Sequence, residues 1–109
     1  LAHHEAVFRS LRTAGFSVSL AAHAYAVLDS YVFGFAFEEA TLPGLAEDTF
    51  TPIVSGIAEQ LDGGGYPYLA EVARDHVLKP GYDFGASFEF GLDMLLDGLE
   101  RALQASSIR

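Results

Sequence analysis

The chain has 109 residues, half of them hydrophobic and 19% charged, which suits one globular domain with one core and excludes a disordered chain. Lys and Arg number 6 against 15 Asp and Glu, a net charge of −9, so this chain is a poor grip for nucleic-acid phosphates, whose binding is driven by Lys and Arg. Cysteine is absent, which rules out disulfides, a thiol nucleophile and Cys-based zinc sites, and fits a reducing cytosol.

Residues 2–14 place Ala6, Val7, Leu11 and Ala14 at helical spacing, and Gly15 supplies the backbone freedom that ends a helix. Ser17 or Ser19 can cap the next helix, so the two form an αα-hairpin with a short turn. From Ser17 to about Leu42 the chain has no proline, and its apolar residues fall all round the helical wheel. Such a helix is roughly 39 Å long. A helix apolar on every side is covered on every side or spans a membrane. Asp29 at mid-helix, polar caps and missing basic flanks argue against a membrane span. The chain's other helices are too few to enclose so long a rod, so a second subunit is expected.

Pro43-Gly44 breaks the long helix, and residues 43–52 read as a loop. A short helix is predicted over 53–62, with Ile53, Ile57 and Leu61 on one stripe, followed by the break Gly63-Gly64-Gly65. Tyr66 to Leu78 reads as an amphipathic helix with Pro67 in its first turn and Leu69, Val72, Ala73, His76 and Val77 on its inner side. After a second loop over 82–86, Ser87 is the predicted N-cap of a last helix that runs to about Ala105. Its apolar stripe is Leu92, Leu95, Leu96, Leu99 and Leu103. Gly91, Met94, Gly98, Ala102 and Ala105 form a second track, and Ala26, Ser30 and Gly34 form a similar small-residue track on the long helix. Glycine inside a helix costs about 1 kcal/mol against alanine. These glycines therefore mark the close approach of another helix, either in a symmetric dimer, the favoured reading, or at an internal crossing.

The chain opens on Leu1 with no basic segment before an apolar run, so no secretory signal is expected and the chain reads as a section of a larger protein. Phosphate-loop, dinucleotide, nucleophile-elbow and zinc-protease motifs are all missing, and no catalytic residues, cofactor or metal site are assigned. His3-His4 point about 100° apart on a helix and do not chelate one ion from its face. His23 reads as a core or interface histidine, whereas His76 is ambiguous. Asp29, a carboxylate among Leu28, Tyr31 and Val32, needs a partner. It either recognises a ligand donor or bonds a nearby tyrosine or histidine.

Two stretches carry a family likeness. The first runs Phe8-Arg9-Ser10-Leu11-Arg12-Thr13-Ala14-Gly15-Phe16-Ser17 and continues to Ser30-Tyr31-Val32-Phe33-Gly34-Phe35-Ala36-Phe37-Glu38-Glu39. The second is Phe88-Glu89-Phe90-Gly91-Leu92-Asp93-Met94-Leu95-Leu96-Asp97-Gly98-Leu99-Glu100. Together they resemble the C-terminal regulatory domain of TetR-family transcriptional repressors of the tetracycline-repressor-like type.

The resemblance implies an all-α helical bundle spanning residues 1–109, in which the long and last helices pack on their mates as a dimeric four-helix bundle. It implies an effector pocket between helices, walled by His4, Val7, Phe8, Ala22, Tyr25, Ala26, Asp29, Leu69, Ala73 and His76. Glu38 falls where the tetracycline repressors place an acid that reaches drug-bound magnesium through water; Glu38-Glu39 as a solvated helix end is the favoured alternative. The apolar and aromatic lining points to a hydrophobic effector. The resemblance further implies a cytoplasmic homodimer whose DNA binding belongs to an N-terminal domain outside this chain. A stand-alone helical dimer without ligand, and a small enzyme using Asp29, His23 or His76, are the rival readings.

Overall fold

The computed structural model describes residues 1–41, 55–57, 59, 60 and 64–107, and these are helical apart from short turns. Helix α1 spans Ala2–Thr13, α2 spans Val18–Thr41, α3 spans Pro67–Val72 and α4 spans Phe84–Ser107. A π-helical turn, Ala73–Val77, continues α3. The described residues are all-α, as expected. The loop expected over 43–52 lies outside the described residues; of the short helix expected over 53–62, residues 55–57, 59 and 60 are described, and they are helical. The chain divides into two compact units, Leu1–Ala36 with Phe88–Arg109, and Phe37–Ser87.

In the first unit the α1–α2 turn follows the residues that were read as its signals. Gly15 takes φ +107°, a left-handed conformation that glycine adopts without a Cβ penalty. The Gly15 N–H donates to Arg12 O at 3.1 Å and the Phe16 N–H to Leu11 O at 3.1 Å, the paired bonds of a Schellman ending. Arg12 Nη1 donates to Phe16 O at 2.8 Å and ties the turn back to the helix. Ser17 then caps α2, its Oγ accepting from the Leu20 N–H at 3.1 Å.

That turn delivers Phe16 into the core. Phe16, Ala21 and Ala24 are buried, and Phe8, Leu11, Leu20, Leu99 and Leu103 pack against them. The two alanines let helices approach closely where α2 is covered. Further along, Tyr31, Phe35 and Phe88 form an aromatic cluster: Tyr31 stacks on Phe88 at 5.2 Å, and Phe35 meets Phe88 edge-on at 5.1 Å.

The start of α4 differs from expectation. The helix begins at Phe84, and Asp83 Oδ1 accepts the Gly85 N–H at 3.0 Å. Asp83 therefore does the capping that was assigned to Ser87, which sits one turn inside. Asp caps a helix as well as Ser does, so a helix can start at this earlier residue.

In the second unit Pro67 occupies the first turn of α3, where its missing N–H is no loss. The π turn closes with the Leu78 N–H donating to Ala73 O at 2.9 Å. Its wider winding changes the helical period only for the residues from Ala73 onward. Ala70 and Ala73 are buried, whereas Leu69 and Val72 are 56% and 53% exposed. His76 is also exposed, with its ring edge-on to Tyr82 at 5.6 Å. The inner side predicted for this segment thus keeps Ala73 and half-buried Val77 but loses Leu69, Val72 and His76.

Candidate functional site: a ring cluster and an uncovered helix face

Three expected binding residues meet in the first unit. Phe8 on α1 lies 5.1 Å from the Tyr25 ring on α2, and His4, one turn earlier on α1, lies 5.7 Å from it. Phe8 and Tyr25 are half-buried and His4 is exposed. Residues 4 and 8 are one turn apart, so their side chains overlie the same point on α2. The cluster offers apolar ring faces with two polar tips, an imidazole and a phenol, and suits a mainly apolar ligand with one or two hydrogen-bonding groups.

Asp29 follows Tyr25 by one turn. It is half-buried and makes no hydrogen bond or ion pair with another described residue, so the intramolecular tyrosine or histidine partner foreseen for it is not found among them. Val7 is half-buried beside Phe8 in sequence, whereas Ala22 and Ala26 are exposed. Leu69, Ala73 and His76 belong to the second unit, as does Glu38. Glu38 and Glu39 are both exposed near the end of α2, and the Glu38 carbonyl accepts from Thr41 Oγ1 at 3.4 Å. Among the described residues no three His, Asp or Glu side chains gather as a metal site.

The second unit holds an open concavity of about 500 Å³ along α3, lined by Tyr66, Ala70, Glu71, Arg74 and Asp75 among others. The sequence reading did not foresee it. Its charged groups, Glu71, Arg74 and Asp75, lie beside the buried Ala70.

The face of α2 turned away from the core is the other notable feature. His23, Ala26, Val27, Ser30, Phe33, Gly34 and Phe37 recur at helical spacing and are all exposed in the single chain. Phe33 and Phe37 are each 69% exposed. On α4, Phe90 and Met94 are 70% and 60% exposed. Of the glycines on the expected tracks, Gly34 and Gly98 have open space where a Cβ would stand. Gly91 does not: its space is taken by Tyr31 of the same chain. Within the chain, Tyr31 accounts for a glycine at position 91. By length and composition α2 would also suffice to cross a bilayer, with a mean hydropathy of 1.3 and 11% of its apolar window buried.

The family model of the tetracyclin repressor-like C-terminal domain matches residues 1–103. No curated protein and no solved structure gives a significant match. The matched range takes in the α1–α2 hairpin, the ring cluster and nearly all of the last helix. With its all-α architecture and a match across almost its whole length, the chain belongs to the tetracyclin repressor-like C-terminal domain family.

Proposed function

We propose that this chain is the regulatory and dimerisation domain of a cytoplasmic TetR-like transcriptional regulator. It binds a small, mainly hydrophobic effector and forms a homodimer. In the intact protein it controls DNA binding by a helix-turn-helix domain outside this chain. Its chemistry is binding, not catalysis, and with a net charge of −9 it does not itself grip operator DNA.

The observation that carries the reading is the exposed apolar stripe on α2, in a chain of this family. Apolar side chains such as Phe33 and Phe37 in open water are a liability that a second copy removes. Gly34 and Gly98 leave room for a partner helix to come close. Val27, Ser30, Met94 and Ala102 complete the contact. The effector sits on His4, Val7, Phe8 and Tyr25, with Asp29 offering the polar anchor. Leu69, Ala73 and His76 are the second unit's candidates for the same role. Regulation requires that the effector bind the conformation that cannot grip DNA more tightly than the one that can.

Native mass spectrometry of this chain at micromolar concentration tests the reading. A dimer carrying extra small-molecule mass supports both halves of it. A bare dimer that gains no thermal stability from any apolar ligand favours a purely structural dimer. A folded monomer overturns the dimer.

A further inference from the structure

At one point a side chain of α2 reaches the backbone of α4, and two residues define the contact. Tyr31 of α2 stacks on Phe88 with the rings 16° from parallel, and its hydroxyl donates to the Phe88 carbonyl at 2.9 Å. Its ring lies over Gly91, one turn further along α4. A Cβ built on Gly91 would collide with the Tyr31 hydroxyl and stand 2.9 Å from its Cζ, closer than real Cβ atoms come. The notch is therefore specific to glycine and is filled by this one ring. Gly34 and Gly98 meet nothing of the kind.

The place of the notch on α4 gives it a consequence. At about 100° per residue, Gly91 lies between the inner residues Phe88 and Leu95 and the exposed residues Phe90 and Met94. Moving α4 away from Tyr31 therefore carries Phe90 and Met94 away from the exposed stripe of α2. Helix interfaces pack as densely as protein interiors, so a displacement on the order of 1 Å is felt across them.

We propose that Tyr31 and Gly91 form a spacer that sets the self-association face, with Tyr31 acting as a positioning residue from inside its own chain. The inference rests on the homodimer proposed above. It gives Gly91 a role in dimerisation that needs no contact with the second copy.

Sedimentation velocity over a concentration series, with circular dichroism on the same samples, tests it. The variants are Gly91→Ala, Tyr31→Leu and the two combined. Gly91→Ala is expected to raise the dimer dissociation constant on the order of tenfold with helicity retained, within the coupling seen between contacting residues. Tyr31→Leu removes the ring that a Cβ would strike. In that background the added Gly91→Ala is expected to change the constant by less than about threefold. Equal effects of Gly91→Ala in both backgrounds, or a dimer as tight as the unaltered chain's, overturn the spacer. If Gly91→Ala does not fold, Tyr31→Phe decides. It removes only the hydroxyl bond, and it is expected to weaken the dimer severalfold at unchanged helicity. An unchanged constant for Tyr31→Phe overturns the proposal. An unaltered chain that stays monomeric at every concentration overturns the dimer itself, and the spacer with it. A dimer indifferent to all the variants overturns the spacer alone.

Discussion

Replacing Phe33 by Ala separates the chain's internal core from its external face. Phe33 sits on the outer stripe of α2 and is 69% exposed in the single chain. A phenylalanine contributes about 200 Å² when fully uncovered, so about 140 Å² of this side chain is still open to water. Covering all of it would contribute about 3.5 kcal/mol at ~25 cal/mol per Å². In a two-fold dimer the residue appears twice, so full coverage gives about 7 kcal/mol as an upper bound. If the partner covers half of the exposed area, the loss on truncation is about 3.5 kcal/mol, or roughly 300-fold in the dissociation constant. The monomer loses little, because Phe33 makes no part of the Phe16–Ala21–Ala24 core. The expected result is a large rise in monomer fraction by sedimentation velocity, with far-ultraviolet dichroism unchanged at low concentration. A variant that loses helicity while the dimer constant of the folded fraction stays the same would refute the reasoning, since Phe33 would then belong to the internal core.

Three further outcomes are expected. Gly98→Leu places a side chain in space that is open within the chain, so it should split the dimer by forcing the partner helix away, and an unchanged molecular mass would count against this interface. Asp29→Asn should change effector affinity more than fold stability, because Asp29 has no described hydrogen-bond partner to lose; a collapse in melting temperature without a ligand effect would make the carboxylate structural. Phe16→Ala removes the one large side chain of the buried cluster and should destabilise the chain by about 3 kcal/mol or more, read from chemical denaturation at fixed protein concentration. A loss under about 1 kcal/mol would mean that the core lies elsewhere.

Much of the fold is legible in the residues alone because its signals are local. Gly15 can only end a helix cheaply, Ser17 can cap the next one, and an unbroken run without proline makes α2 long. The all-round apolar character of α2 also shows in sequence, and it already asks for a partner on each side. Tertiary structure decided which side is which. The residues of α2 that contact the core, Ala21 and Ala24, are no more apolar than Ala22 and Ala26, which stay exposed. Only the packing of α1 and α4 distinguishes them. The same holds for α3, where Ala70 and Ala73 are buried and the larger apolar side chains Leu69 and Val72 face outward. It holds most clearly for the glycines. Composition marks Gly34, Gly91 and Gly98 alike as places of close approach. Which neighbour arrives at each is a matter of contacts distant in sequence, and for Gly91 that neighbour is Tyr31 of its own chain.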